Sequence, residues 1–238
     1  MKENIEQRIE NYWDKRSRDF SAVRKRELLS ENMPLWRELL LRRLPKGRLK
    51  ILDAGTGAGF FAIILAKSGY DVTGIDTSGK MVEESKKNAA EFGVEVEFLK
   101  MPADKLEFPD NLFDAVVSRN LTWTLPDCME AYRVWRRVLK PDGRILNYDS
   151  DMGEISFSRK EDINHVHSNL SQQEIDECNS IKKSLRISTH KRPSWDKEFL
   201  ESIRFNVEIT KDISCLVRKD KNIIYDDLPM FEIYAEKI

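Results

Sequence analysis

The residues with the clearest chemical meaning are one acid and three glycines in the stretch LDAGTGAGFFAIILA, residues 52–66. Asp53 is followed by Gly55, Gly57 and Gly59 at alternate positions. Glycine is required where a backbone turns tightly or lies against a ligand without a Cβ in the way. The flanking apolar residues predict a buried strand before the glycines and a helix after them. A turn that opens a helix presents free N–H groups and the positive end of the helix dipole. The stretch therefore predicts a small-molecule site for a nucleoside-type ligand with an anionic end.

The spacing of these glycines separates the possible ligands. A dinucleotide site has the form G-x-G-x-x-G, and here Phe60 takes the place of its third glycine. A phosphate-binding loop ends in Lys-Ser or Lys-Thr, which this stretch lacks. The acid and the glycines instead resemble the first motif of the class I S-adenosylmethionine (SAM)-dependent methyltransferases, D/E-x-G-x-G-x-G. Asp53 is placed either to accept hydrogen bonds around a ligand ammonium or to brace the turn. An ordinary glycine-rich turn remains the alternative for the motif as a whole.

A second acid ends the next segment, DVTGID, which is predicted to be a short strand. An acid at the carboxyl end of a second strand can accept two hydrogen bonds from ribose hydroxyls. The resemblance assigns Asp76 to the adenosyl ribose, with Thr77 and Met81 beside it. The alternative is that Asp76 is the N-cap of the helix that begins near Ser78.

Two later segments also match the family. The alternating strand VEVEFLK leads into Met-Pro-Ala-Asp, where the resemblance places Ala103 and Asp104 at the adenine, with Asp104 at its amino group. The strand in PDNLFDAVVSR is followed by Asn120, Leu121 and Thr122, which would lie under the methionine part of the cofactor. Enzymes that methylate nucleobase amines typically carry an Asn/Asp-Pro-Pro-aromatic sequence here. Its absence argues against that substrate class.

The N-terminal segment resembles the "YWD…Y/F" leader of small-molecule methyltransferases, which lies across the cofactor. We expect either such an aromatic lid or plain packing against the sheet. The cofactor-binding residues that the resemblance implies are Tyr12, Asp53, Gly55, Thr56, Gly57, Phe60, Asp76, Thr77, Met81, Ala103, Asp104, Asn120, Leu121 and Thr122.

The sequence does not identify a catalytic residue, but it offers four candidates. Tyr148 and Asp149 end the predicted fifth strand, near enough in the expected fold to touch an acceptor. His165 and His167 form an H-x-H pair, in which one imidazole is a candidate general base because it titrates near neutral pH. Such a pair binds metals on a strand, but no third ligand is evident and no metal is predicted. The alternative for both histidines is an exposed loop.

Composition adds limits on the partners. The chain has 238 residues, 40 basic and 41 acidic, and a net charge of −1, so nothing indicates a nucleic-acid partner. No apolar run is long enough to span a membrane. Three separated cysteines fit neither a disulfide framework nor a close-spaced metal motif. Arsenic methyltransferases use three separated cysteines, but their flanking pattern is missing. We expect a cytoplasmic protein that acts on a small-molecule acceptor, with a homodimer possible.

The chain divides into four predicted parts: an N-terminal helical cap (1–46), a SAM-binding core (47–150), a helical insertion that serves as substrate lid (151–193), and a C-terminal helix with the last two strands (194–238). The fold class is α/β. We expect a Rossmann-like, seven-stranded, mostly parallel sheet with helices on both faces, and strands six and seven antiparallel. In the cap, a second helix is predicted from about residue 24 to 44. In the insertion, Ser171 and Glu174 form a capping box that predicts a helix start.

These expectations together indicate a SAM-dependent methyltransferase that transfers a methyl group to an unidentified small molecule by in-line displacement. The alternative is a non-catalytic SAM-binding regulatory protein. A nicotinamide oxidoreductase is disfavoured by Phe60 in the glycine motif.

Overall fold

A computed structural model of the chain describes residues 4–153 and 155–238. Its centre is a seven-stranded sheet with the order β3-β2-β1-β4-β5-β7-β6. Strands β1 to β5 pair in parallel, and β7 pairs antiparallel with both β5 and β6. The strands are β1 (Lys50–Ala54), β2 (Asp71–Asp76), β3 (Glu97–Lys100), β4 (Phe113–Arg119), β5 (Leu139–Asp149), β6 (Phe205–Thr210) and β7 (Phe231–Lys237). The helices are α1 (Ile5–Leu28), α2 (Asn32–Leu41), α3 (Phe60–Lys67), α4 (Gly79–Glu91), α5 (Cys128–Val138), α6 (Gln172–Ser184), α7 (Ser194–Ser202) and α8 (Ser214–Val217). The predicted fold class is confirmed.

The sheet is buried on both faces. Alternate residues of a strand point to opposite faces, and in β4 Val116 joins one apolar cluster whereas Ala115 and Val117 join the other. Strands covered on both sides read as continuous apolar runs, which explains the sequence of β4. The carboxyl ends of β1, β2 and β4 meet at one edge of the sheet, where open α/β folds bind ligands.

The N-terminal helices differ from the prediction. The expected helix start near residue 24 is wrong, because α1 continues unbroken to Leu28. Arg24 and Glu27 lie one turn apart on α1 and form a buried ion pair inside the protein, which favours helical continuation there. The chain turns at Ser30, whose hydroxyl accepts a hydrogen bond from the Asn32 N–H (3.1 Å) as α2 begins.

The segments after β5 follow the sequence more closely. Helix α6 begins with the predicted capping box, in which the Ser171 and Glu174 side chains each accept a hydrogen bond from the other residue's backbone N–H. Arg8 of α1 pairs with Glu177 of α6 (2.9 Å), so the insertion packs on the N-terminal helix. The last two strands are antiparallel, as predicted. In the part of the chain that the structure describes, no helix is long and apolar enough to cross a membrane.

Candidate cofactor and acceptor site

A cavity of about 290 Å³ lies at the carboxyl ends of β1, β2 and β4, beneath α1. It collects most of the residues that the sequence assigns to a cofactor. Those that line it are Asp53, Gly55, Thr56, Gly57, Phe60, Asp76, Thr77, Met81, Ala103, Asp104, Asn120 and Leu121. Tyr12 and Thr122 are not part of the lining.

The glycine turn forms the floor of this cavity. Gly55 and Gly57 have φ of +66° and +53°, the left-handed region that favours glycine. A Cβ on Gly55 would lie 2.5 Å from Leu121 Cδ1, so glycine is also required for space. Asp53 Oδ2 accepts hydrogen bonds from Thr56 Oγ1 (2.7 Å) and from the Ala62 N–H (3.0 Å). Of its two predicted roles, bracing the turn is therefore present in the fold. Burial raises the pKa of Asp53 to about 7.

Asp76 ends β2 beside the turn. Its carboxylate accepts hydrogen bonds from the Gly57 N–H and from the Ser78 N–H, both at 2.9 Å. Burial raises its pKa to about 6, against the lowering effect of these two bonds. The alternative role as N-cap is wrong, because the cap of α4 is Ser78, whose hydroxyl accepts from the Met81 N–H at 3.0 Å. Asp76 is thus held by backbone groups with its side chain lining the cavity.

The loop that follows β3 contributes apolar residues and one acid to the cavity wall. Met101, Pro102 and Ala103 line it, and Asp104 stands beside them. Burial raises the pKa of Asp104. The loop is fixed from below, since Trp135 Nε1 donates to the Ala103 carbonyl at 2.8 Å.

Helix α1 forms the roof through Trp13 and Phe20. Both rings line the cavity and meet edge to face, with centroids 5.6 Å apart. Asp14 fixes this roof to the core, because its carboxylate accepts a hydrogen bond from Ser78 Oγ at 2.5 Å. Tyr12 points elsewhere: it is buried, and its hydroxyl accepts a hydrogen bond from Arg16 Nη1 at 2.9 Å.

Asn120 stands at the opening from this cavity to a second one. Its φ is +53°, which is uncommon outside glycine and points to a constrained position. Its side-chain oxygen Oδ1 is buried and accepts no hydrogen bond from residues 4–153 or 155–238. Unpartnered buried polar atoms are rare and costly, so Asn120 Oδ1 is an acceptor available to a ligand.

The second cavity, of about 90 Å³, adjoins the first. Trp13, Phe20, Arg24 and Asn120 line both, and the place where the two cavities adjoin is termed the passage. The walls of the smaller cavity combine apolar and charged residues from α1, α6 and the loops after β5 and α8. They include Tyr12, Arg16, Trp123, Phe157, His167, Leu170, Ile175, Cys178, Arg218, Tyr225 and Asp226.

Several arginines surround one buried carboxylate between α1 and the end of β4. This group, termed the Glu27 cluster, comprises Arg24, Glu27, Arg119, Arg218 and Tyr225. Arg119 Nη2 lies 2.7 Å from Glu27 Oε1, and Arg24 pairs with the same carboxylate. Tyr225 donates a hydrogen bond to Glu27 Oε1 (2.8 Å). Burial alone would raise the pKa of Glu27, but Arg119 and Arg24 lower it to about 2. Sequence reasoning missed Arg24 and Arg119, although both line the first cavity.

The four proposed catalytic residues are not brought together. Tyr148 is fully buried and its hydroxyl donates to Glu232 Oε1 at 3.2 Å. Asp149 is fully buried as well, in contact with Arg192. Of the two histidines, His165 is buried and His167 lines the smaller of the two cavities described above.

Asp149 belongs to a second arginine cluster, the Arg192 network, which comprises Thr122, Tyr132, Asp149, Arg192 and Asp196. The guanidinium lies between the two carboxylates, with Nη1 3.2 Å from Asp149 and Nη2 2.7 Å from Asp196. Thr122 accepts from Arg192 Nη2 (2.6 Å) and donates to Asp149 (2.5 Å). Thr122 and Asp149 are therefore tied to each other and to Arg192 rather than turned toward either cavity.

No group of three or more acids, histidines and cysteines that could hold a metal ion occurs among residues 4–153 and 155–238. Cys128 and Cys178 are buried and Cys215 is exposed, all as free thiols.

Comparisons with known proteins agree with this site. Residues 52–147 match the family described as a methyltransferase domain. The chain is 39% identical over 101 residues to an uncharacterized methyltransferase, YcgJ, from Bacillus subtilis, covering 42% of this chain and 40% of that protein. It is 31% identical over 120 residues to the ubiquinone/menaquinone biosynthesis C-methyltransferase UbiE of Rickettsia bellii, covering 47% of this chain and 48% of that protein. The chain thus spans less than half the length of these curated relatives.

The fold has solved counterparts over nearly the whole chain. A SAM-dependent methyltransferase from Aquifex aeolicus superposes with a TM-score of 0.61 at 20% identity, covering 92% of this chain and 98% of that one. Residues 52–147 thus carry a methyltransferase domain. The fold around this domain is one that the chain shares with a SAM-dependent methyltransferase of known structure.

Proposed function

We propose that this protein transfers the methyl group of SAM to a small-molecule acceptor and releases S-adenosylhomocysteine (SAH). The observation that carries the proposal is the meeting of the glycine turn, Asp76, Asp104 and Asn120 in one cavity that opens onto a second, smaller one. One cavity fits a cofactor and the adjoining one fits an acceptor.

The residues present fit SAM. Asp76 would accept hydrogen bonds from the ribose hydroxyls, and Asp104 from the adenine amino group. The unpartnered Asn120 Oδ1 suits the cofactor's ammonium, and Arg24 and Arg119 suit its carboxylate. Bound SAM would supply an electrophilic sulfonium methyl.

The protein contributes to the reaction by positioning the cofactor and the acceptor and by excluding water. In-line displacement requires the accepting atom about 3–3.5 Å from the carbon it attacks, aligned with the breaking bond. Trp13 and Phe20 cover the passage between the cavities, and aromatic faces there also favour a nearby positive charge. Asn120 is held beside these rings by a hydrogen bond from its N–H to the Tyr148 carbonyl (2.8 Å).

Where the acceptor must lose a proton, we propose His167 as the base. It lines the smaller cavity, its Nε2 lies 3.1 Å from Asp226 Oδ2, and its Nδ1 is buried without a hydrogen-bond partner in the described ranges. An imidazole held by a carboxylate at one nitrogen has the other free to accept a proton. His167→Gln is expected to lower turnover and to leave SAH affinity unchanged.

The partners follow from the same arrangement. We propose that the acceptor is a small molecule and that neither nucleic acid nor a membrane is needed for the activity. The smaller cavity, of about 90 Å³, favours this over a macromolecular acceptor. We also propose a cytoplasmic location. A homodimer is possible, and light scattering measures the oligomeric state.

Calorimetry with SAH, SAM and NAD tests the cofactor. We expect binding of both adenosyl ligands and none of NAD; binding of NAD alone would contradict the proposal. Incubation with methyl-labelled SAM and a set of small acceptors then separates an enzyme from a regulatory SAM-binding protein, which would bind SAM but label no acceptor.

A further inference from the structure

The smaller cavity carries more positive than negative charge. Arg16, Arg24 and Arg218 line it, and the acid among its lining residues is Asp226. The Asp226 carboxylate is already engaged, because Lys160 Nζ and His167 Nε2 each lie 3.1 Å from one of its oxygens. It therefore does not neutralise the arginines.

Arg16 and Arg218 have no carboxylate partner in the parts of the chain that the structure covers. Arg16 is buried, with Nη1 on the Tyr12 hydroxyl and Nε without a partner. Arg218 donates from Nη1 to the main-chain carbonyls of Asp226 and Leu228, and its Nε is also unpartnered. Arg16 is buried and Arg218 is half-buried. A cation withdrawn from water without a counter-ion is costly, so both guanidiniums are placed to receive an anion.

The Glu27 cluster supports this conclusion through its charge. Arg24 and Arg119 both pair with one carboxylate, Glu27, among the residues the structure describes, and Arg218 lies near it without pairing. Burial and then the nearby positive charge of Arg119 lower the pKa of Arg218, and they outweigh Tyr225, Asp212 and Glu27, which raise it without forming an ion pair with Arg218 among the described residues. Glu27 and the carboxylate of a bound cofactor would balance Arg24 and Arg119. Arg218 then keeps an unbalanced charge beside the smaller cavity.

We infer that the methyl acceptor is a small anion, with a carboxylate or a phosphate monoester received by Arg16 and Arg218. Guanidinium groups bind both through paired N–H donors. The rest of the acceptor would lie against Trp123, Phe157 and Leu170, which makes its body apolar. The cavity is only about 90 Å³, so the body is small. This inference rests on the proposed function, because it needs the larger cavity to hold the cofactor.

The test compares isosteric probes on the SAH-loaded protein, in which the cofactor cavity is filled. Isobutyrate, isopropyl phosphate and uncharged isobutyramide are titrated by ligand-detected NMR. We expect isobutyrate or isopropyl phosphate to bind at least tenfold more tightly than isobutyramide. The tighter of the two anions shows whether the acceptor carries a carboxylate or a phosphate. Equal affinity for the amide and both anions would overturn the inference without any variant.

Variants then test whether Arg16 and Arg218 cause the preference for an anion. In Arg16→Met/Arg218→Met, the anion and the amide are expected to bind equally, whereas SAH affinity is retained. Arg18→Met on the exposed side of α1 and Lys219→Met next to Arg218 are matched controls that keep the preference. A preference that survives in the double variant would contradict the assignment. Failure of the wild-type protein to bind SAH would instead overturn the proposed function itself, and this inference with it.

Discussion

The two arginine clusters of this protein have opposite charge balance. In the Arg192 network, one guanidinium lies between two carboxylates, Asp149 and Asp196, and its donors are taken up by protein groups. In the Glu27 cluster, three guanidiniums surround one paired carboxylate. Both clusters are largely buried and lie close to the end of β4. On the function proposed above, the difference separates a part that holds the fold together from a part that binds ligand.

The position of each cluster agrees with that division. Arg192 follows the insertion helix and reaches Asp149 at the end of β5, so its network fastens the insertion to the core. Its members Thr122 and Asp149 lie in neither cavity lining. Arg24 and Arg119, by contrast, line the larger cavity, and Arg218 lines the smaller one.

Removing Arg192 should give the largest effect, on stability. Arg192→Met leaves Asp149 and Asp196 buried without their cation, and breaking a buried pair in this way costs about 3–5 kcal/mol. Urea denaturation measures the loss, with Lys191→Met, an exposed neighbour, as control. The SAH affinity of the folded protein should stay within about twofold of the wild type, because the loss of this ion pair lowers the stability of the fold and removes no group that binds the cofactor. An Arg192→Met protein that is as stable as the wild type but binds no SAH would contradict this division, because the Arg192 network would then serve binding and not stability.

Removing Arg119 should have the opposite effect: a larger loss of SAH affinity and a smaller loss of stability. Arg119→Met removes a cation from a cluster with surplus positive charge, so the loss of its bonds to Glu27 is partly offset by relief of repulsion. The free energy of unfolding should therefore fall by less than in Arg192→Met. SAH affinity should fall by about 1.5–3 kcal/mol, the range for a hydrogen bond to a charged group.

Calorimetry and urea denaturation on the same preparation measure both quantities. Arg133→Met, on the exposed side of α5, is the matched control and should change neither. An Arg119→Met protein with wild-type SAH affinity would show that the surplus charge has no part in cofactor binding.

How far the sequence predicts the molecule depends on how local each signal is. The glycine turn, Asp76, Asp104 and Asn120 were predicted because each lies at the end of a strand inside a short motif. The Glu27 cluster joins Arg24 on α1, Arg119 on β4 and Arg218 beyond α8, and no local spacing records that they meet. Such clusters form only when the fold brings distant segments together.

Two smaller differences have local physical reasons. The sequence assigns Tyr12 to the cofactor, but Trp13 lines the larger cavity instead. Adjacent helical residues point about 100° apart, as 3.6 residues make a turn, and a motif match does not fix that rotation. Thr122 was assigned with its loop, yet its hydroxyl is directed into the Arg192 network. The resemblance to the family motif predicts that this loop lies at the cofactor, but it does not predict the orientation of each side chain.

A third prediction concerns pH and acts on the cofactor side of the comparison. Ribose hydroxyls that donate to Asp76 favour its ionised form. Because the pKa of Asp76 in the free protein is about 6, raised by burial, protonation competes with binding below that pH. SAH affinity should be about tenfold weaker at pH 5 than at pH 7. Asp53 and Asp14 also face this carboxylate, so Asp53→Asn is measured in parallel. The pH dependence of SAH affinity should persist in Asp53→Asn and be much weaker in Asp76→Asn, where Asp104 at the adenine is the remaining acid with a raised pKa.

The affinity of Asp76→Ala for SAH tests most directly whether the glycine turn and its neighbouring acid bind the adenosyl group. The comparison variant is Asp71→Ala, at the exposed start of the same strand. We expect binding by Asp76→Ala to weaken by about 1.5–3 kcal/mol, the range for hydrogen bonds to a charged acceptor, and Asp71→Ala to match the wild type. Wild-type affinity in a folded Asp76→Ala protein would contradict the assignment of this cavity to SAM.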